Sequence, residues 1–378
     1  MAQQFPISRR TVLRAGGVIG SGLALGALST QPALADPPWF AKLSTEQQVG
    51  QRVIFSYPGA TPSDELLQLI KDGLVGGVIF FGENILSLDQ ITDVVSELNA
   101  AHAQSPTSAT PLILTTDQEG GVVRRLRGQE PLLSAKQMGA AADPVAEATK
   151  GGNGAGLILK QVGMNVNLAP VEDVYREEGN FDDQFGRSFS SDWTVCGALG
   201  AAFVRAQQAT GVAATAKHYP GLGWATRAEN TDLGVVTLTQ SAAEIRTVDE
   251  AAFGPVIDAG VELVMTSWAT YPAIDADYPA GLSKIFVERE LRGRQRFGGV
   301  TITDALEAGA LTPYGATGER AVLSAEAGMD VLLCSARDVG QGQDAVSAVS
   351  AAVRSGRLNP GHFKIALTRV RRLRDSLN

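Results

Sequence analysis

Gly299–Leu311 reads GVTITDALEAGAL. An apolar, β-rich run ends on a carboxylate, Asp304, and passes at once into a helix-forming stretch. A strand without polar alternation is one buried on both faces, as in a parallel sheet covered by helices. A charged residue where such a strand opens into a loop sits where binding and catalytic groups concentrate. Three further runs end in the same way: LILTTD opens into DQEGG at Asp117–Gly121, NVNLAP into VED at Asp173, and VAATAKH into YPG at Gly221. One such cluster is weak evidence, because a loop carboxylate often only caps the next helix. Four at corresponding places predict a shared mouth.

The same strand pattern recurs along the chain. QRVIFSY from Gln51, GGVIFFG from Gly76, VELVMTSW from Val261 and MDVLLCS from Met329 bring the buried runs to eight. Amphipathic stretches separate them, among them SDELLQLIKDGL, SLDQITDVVSELNAAHAQ, DPVAEATKGGNGAGLILKQVG and TVCGALGAAFVRAQQATG. Ser87 is a candidate N-cap for the second of these. Strict strand–helix alternation predicts an α/β fold, a single-domain (β/α)8 TIM-type barrel over residues 36–378. A large open doubly wound sheet is the alternative, but no Gly-rich phosphate loop follows the first strand. In a barrel the strand ends share one rim. That rim would carry Asp117 after the third strand, Asn167 and Asp173 after the fourth, Lys217 and His218 at the fifth, Trp268 at the sixth and Asp304 at the seventh.

Composition narrows the function class. Of 378 residues 44% are hydrophobic and 19% charged, a globular balance with material for a large core. The net charge of −8 argues against a nucleic-acid partner, which would call for a basic face. Three histidines and two cysteines without close spacing argue against a zinc site, and Cys196 and Cys334 are expected to be buried free thiols. No cofactor is expected. Residues 1–35 read as a twin-arginine-type signal peptide: SRRTVLR from Ser8, a Gly/Ala/Leu-rich segment, then Ala33-Leu34-Ala35 as a small-residue cleavage pattern. Export to the extracellular or cell-wall space follows, with no stable membrane insertion after cleavage. No feature of the sequence reports an oligomeric state.

Taken in order, LSTEQQVGQ, GGVIFFGENI, DQEGGVVRRL, NVNLAPVEDV, GRSFSSD, AKHYPGLG, VMTSWATYPAID and GVTITDALEAGAL make almost the whole mature chain resemble glycoside hydrolase family 3. The likeness is to its single-domain bacterial β-N-acetylhexosaminidase type. The resemblance implies a retaining double displacement on a carbohydrate substrate. Asp304 falls on the nucleophile, Asp117, Arg125, Arg187, Lys217 and His218 on sugar-binding positions. One element departs from the pattern. The proton-shuttling histidine of this type is missing from the loop KHYPGLGWATRAENTDLG, where Leu222 replaces a second loop histidine. Laying the family's Asp-Ser-His on Asn230-Thr231-Asp232 makes Asp232 the candidate acid/base, with Glu229 as second candidate. An aspartic acid can serve if burial or a neighbouring carboxylate raises its pKa. Trp224 and Trp268 are candidates for stacking on a sugar face or for packing. The expected activity is an exo-acting β-N-acetylglucosaminidase on cell-wall or chitin-like sugars. A β-glucosidase or β-xylosidase, or a catalytically silent sugar-binding relative, are the alternatives.

Overall fold

The computed structural model describes residues 42–377, so the signal-peptide reading of residues 1–35 lies outside the described residues. Each of the eight apolar runs forms a strand of one closed parallel barrel: β1 (Val53–Phe55), β2 (Gly77–Ile79), β3 (Ile113–Thr116), β4 (Val166–Asn167), β5 (Ala213–Tyr219), β6 (Leu263–Thr266), β7 (Val300–Ala305) and β8 (Val331–Leu333). Ile54 pairs with Gly77 on one side and Leu333 on the other, which closes the ring. The expected (β/α)8 barrel is the observed fold.

Alternation of side chains along each strand sorts the core into two layers. Ile54, Ile79, Ile113, Val166, Leu168, Leu263, Met265, Val300, Ile302, Val331 and Leu333 form the cluster that fills the barrel. Their strand neighbours, such as Phe55, Val78 and Leu114, join a second cluster with helix residues Leu66, Ile91, Leu98 and Val349. Each such side chain contributes about 1.5–3 kcal/mol by leaving water. That explains why these strands show no polar alternation in the sequence.

A long helix follows each strand, with shorter helical turns between some of them: α1 (Asp64–Lys71), α2 (Leu88–His102), α3 (Pro144–Gln161), α4 (Trp193–Gln208), α5 (Glu250–Asp258), α6 (Ile285–Arg294), α7 (Thr317–Ala327) and α8 (Val339–Arg354). Ser87 caps α2 as expected, its hydroxyl accepting from the Gln90 N–H at 3.1 Å. The C-terminal helix of the described residues, α9 (Pro360–Ser376), contributes Val370 and Leu373 to the barrel-filling cluster. Its buried Arg374 donates to the carbonyls of Pro111 at 2.7 Å and Thr110 at 3.2 Å, just before β3. This helix therefore closes the end of the barrel opposite the strand C-termini. Cys196 and Cys334 are buried and unpaired.

Candidate active site

Because the strands run parallel around a closed ring, their C-terminal ends deliver side chains to one cleft of about 830 Å³. Asp117, Arg125, Arg187, Lys217, His218, Asp232 and Asp304 all line it. A volume of that order is typical of a small-molecule site.

The cleft wall starts at the end of β3. DQEGG folds into a small hairpin, Gln118–Gly120 against Val123–Arg124, turned by Gly121 at φ 56. A left-handed backbone there favours glycine, and the Cβ of any other residue would press into Ser134. Asn167, at the end of β4, fixes the hairpin by accepting from the Gln118 N–H at 2.9 Å and donating to the Gln118 carbonyl at 3.1 Å. Its role is structural, and it leaves Asp117 and Glu119 held on either side of residue 118.

Lys217, almost wholly buried on β5, bridges these two carboxylates, with Nζ 2.7 Å from Asp117 Oδ1 and 2.8 Å from Glu119 Oε1. Arg125 reaches Asp117 Oδ2 at 3.3 Å. Arg187 makes a two-pronged contact with Glu119, Nε and Nη2 each donating at 2.9 Å, and its Nη1 donates to Asp182 at 2.9 Å. Burial alone would raise the Asp117 and Glu119 carboxyls. The cations win: Lys217 and Arg125 hold Asp117 well below the usual aspartate range, and Arg187 with Lys217 lower Glu119. Both are ionised acceptors, and the cations beside them are directional donors, a set suited to sugar hydroxyls.

His218 stands behind this layer. Its Nδ1 lies 2.7 Å from Asp173 Oδ2, and its Nε2 lies 3.4 Å from Arg187 Nη2. Burial and the Arg187 charge push its pKa down to about 4, so the imidazole is neutral near pH 7. Nδ1–H then donates to Asp173, which leaves Nε2 as an acceptor towards Arg187. Burial, with Asp173 alongside, pushes Asp182 up to about 7. Asp173, Asp182 and His218 are close enough together to form a metal-binding group in outline. Arg187 already supplies positive charge to two of the three, so the donor set does not suit a cation.

Asp304 ends β7, with Oδ1 accepting from the Ala305 N–H at 2.8 Å. Burial raises its carboxyl, His218 opposes this, and Asp232 adds to the rise. Asp232 stands at the rim, open to solvent, on the loop after β5. The surrounding walls still remove enough water to raise its carboxyl; Arg187 opposes the rise and Glu307 adds to it.

The remaining candidates stand apart from the cleft. Glu229 does not line the cleft. Its Oε2 accepts from the Thr226 N–H at 2.7 Å and closes a turn. Trp268 is buried, and its indole N–H donates to the Ala305 carbonyl at 2.8 Å, so it packs beneath the segment after Asp304. Trp224 lies outside the lining residues, with the Arg176 guanidinium 5.6 Å above its ring. Sequence reasoning passed over Glu119, Asp182 and Glu307. Glu119 and Glu307 lie inside motifs already singled out, DQEGG and TDALEAGAL. Nothing local to Asp182 marks it, because its partner Arg187 is defined only by the folded loop.

Comparison with known proteins places the chain. The family model described as "Glycosyl hydrolase family 3 N terminal domain" matches residues 44–373. A protein of Arthroderma benhamiae described as an uncharacterized secreted glycosyl hydrolase is 46% identical over 332 residues, 88% of this chain and 93% of that protein. A Beta-hexosaminidase of Stenotrophomonas maltophilia is 33% identical over 70% of this chain and 77% of its own length. Among solved structures, a β-N-acetylhexosaminidase of Beutenbergia cavernae superposes with a TM-score of 0.81 at 34% identity, covering 89% of this chain and 99% of that one. A family 3 β-N-acetylglucosaminidase of Paenibacillus superposes with a TM-score of 0.83 at 33% identity over 88% of this chain, which spans 62% of the Paenibacillus chain. The chain belongs to glycoside hydrolase family 3.

Proposed function

We propose that this protein is a retaining, exo-acting β-glycosidase that releases N-acetylglucosamine from the non-reducing end of cell-wall or chitin-like sugars. The observation that carries the reading is the pairing of Asp304 and Asp232 in one cleft, beside a buried wall of cations and carboxylates. Asp304 attacks the anomeric carbon as the bond to the aglycone oxygen breaks, and the Asp232 proton passes to that oxygen. Water then gives its proton to Asp232 and its oxygen to the anomeric carbon, freeing the Asp304 carboxylate with the original β configuration. Asp117, Arg125, Arg187, Lys217 and His218 hold the sugar hydroxyls in this scheme. The N-acetyl preference rests on the names of the Stenotrophomonas, Beutenbergia and Paenibacillus relatives. A twin-arginine-type signal over residues 1–35 delivers the barrel of residues 36–378 outside the cell, a reading supported by the secreted Arthroderma relative.

The scheme needs Asp304 ionised while Asp232 keeps its proton. Asp232→Asn is therefore expected to leave hydrolysis of 4-nitrophenyl β-N-acetylglucosaminide far less impaired than that of a disaccharide, whose leaving group needs the proton. The alkaline limb of the pH–rate profile should vanish. The acidic limb should stay close to its place, because Asp232 is already protonated and neutral in the range where Asp304 gains its proton. Glu229→Gln is expected to change neither. Equal loss on both substrates, or none, would remove Asp232 from the role. Wild-type turnover confined to glucosides or xylosides would reassign the sugar, and no turnover on any of them would make the cleft a binding site.

Glu307 tunes this proton. Its Oε1 accepts from Ser335 Oγ at 2.7 Å and its Oε2 from Gln341 Nε2 at 3.0 Å, which holds the carboxylate in the cleft wall where it raises Asp232. Glu307→Gln is expected to shift the alkaline limb to lower pH, read from kcat/KM against pH, because the neighbouring charge that raises Asp232 is removed.

A further inference from the structure

We infer that Gly309 is a positioning residue that docks the Asp232 turn onto the segment following Asp304, so that one stretch of backbone sets the spacing of both carboxyl groups. The inference rests on Asp232 being the proton donor.

The turn is a self-contained unit. Asp232 N–H donates to Asn230 Oδ1 at 2.8 Å, and the N–H groups of Leu233 and Gly234 both donate to the Asn230 carbonyl at 3.1 Å. It is attached by backbone alone at the position that matters: Gly309 N–H donates to the Asp232 carbonyl, and Ala310 N–H to the Thr231 carbonyl, each at 2.9 Å. Side chains add little there, since Leu233 is 82% exposed and Val235 is 61% exposed. Further along, the loop is tied to the barrel again where Leu238 N–H donates to the Thr270 carbonyl at 2.9 Å.

The approach is closer than any side chain allows. A Cβ at residue 309 would lie 2.5 Å from the carbonyl carbon and oxygen of Leu233 and 2.8 Å from Gly234 N. All three are main-chain atoms, so rotation of a side chain cannot relieve the contact. Alanine at 309 must push the turn, and Asp232 with it, away from residue 309. The segment carrying Gly309 cannot easily yield instead. Ala305 is held from below by the Trp268 indole, Ala308 N–H donates to the Ala305 carbonyl at 3.1 Å, and Leu306 N–H donates to the Leu333 carbonyl at 3.0 Å. Displacement therefore falls on the proton donor rather than on the nucleophile. A shift of about 1 Å in a reacting group can cost on the order of a hundredfold in rate.

The test compares Gly309→Ala, Gly234→Ala and Asp232→Asn in the full mature chain, using aryl β-N-acetylglucosaminides with phenol leaving groups from activated to poor. A Cβ at Gly234 meets nothing within 4 Å, so that variant alters the same turn without forcing it to move. Gly309→Ala is expected to lose about tenfold or more in kcat/KM on the poorest leaving group and less than about threefold on the 4-nitrophenyl substrate. On that substrate kcat and KM should fall together as the glycosyl-enzyme accumulates, and azide, which needs no base, should restore kcat. Gly234→Ala should match the wild type. Uniform loss across leaving groups without azide rescue, or no loss, would overturn the docking role while Asp232→Asn still showed the leaving-group dependence. If Asp232→Asn lacks that dependence, the assignment of the proton donor falls, and the positioning role falls with it.

Discussion

Asp304→Asn is expected to abolish turnover, by about 10,000-fold or more in kcat on 4-nitrophenyl β-N-acetylglucosaminide, while the protein stays folded. That leaving group departs with little protonation, so the measurement separates the proposed nucleophile from Asp232. Nothing about the fold should suffer. Among the described residues the one hydrogen bond to the Asp304 carboxylate, from the Ala305 N–H at 2.8 Å, can be accepted equally by an asparagine oxygen. The effect on stability has a definite sign. Burial raises the folded pKa of Asp304 above its unfolded value, so its contribution to stability is present at acidic pH and is lost as pH rises through the folded pKa. At neutral pH the buried charge is a cost that asparagine removes, and denaturant unfolding should show the variant as stable as the wild type or more so. A dead and stable Asp304→Asn, with Asp304→Gly yielding the α-glycosyl azide in azide, would identify the nucleophile. Retained turnover in Asp304→Asn, after a check for contaminating wild-type enzyme, would end the proposed mechanism.

The second large effect falls on Lys217. Its ammonium is the shared counter-ion of Asp117 and Glu119, at 2.7 and 2.8 Å, and is almost completely buried. Lys217→Met fills the same space but leaves two carboxylates facing each other in a site with little water. Breaking a buried pair by deleting one partner costs about 3–5 kcal/mol. Unlike the nucleophile variant, this one should lose stability and activity together. Loss of charged hydrogen bonds to substrate, and of the ordering of Asp117, should lower kcat/KM by roughly a hundredfold. The pH dependence separates the two causes. Folded Asp117 and Glu119 have lowered pKa values, so their stabilisation is present above their unfolded values and is lost as pH falls through the folded ones. The stability gap between wild type and Lys217→Met should be widest near neutral pH and should narrow on acidification below the ordinary carboxylate range. A gap that is constant with pH would mean that the loss arises from packing, not from the ion pairs.

The two variants mark opposite economies within one rim. The cation wall is satisfied before substrate arrives, whereas Asp304 is held with its charge disfavoured, and disfavoured charge is what a nucleophile discharges on attack.

Local chemistry accounts for what could be read without the fold. Eight unalternating apolar runs could only be strands buried on both faces, and amphipathic stretches between them supplied the helices that cover them. The carboxylate near the end of β7, the acidic pair after β3 and the Lys-His pair at the end of β5 could therefore be assigned to one rim from spacing alone, since parallel strands bring their C-termini together. Ser87 could be recognised as a cap because capping is a contact over three residues. Loops carry no such periodicity, and their geometry is set by contacts between segments far apart in the chain. Glu119 meets Arg187 across 68 residues, and Arg176 meets Asp249 across 73. Such distances explain why Glu119 and Asp182 entered the site unannounced, why Glu229 became a turn cap and why Trp268 went under the cleft instead of lining it. They also explain why the seat of the proposed proton donor rests on a contact between two main chains at Gly309 and Leu233. The sequence by itself determined the barrel and which strand ends would carry charge. Closure of the ring decided which of those charges face one another, because only tertiary packing removes the water that would otherwise screen them.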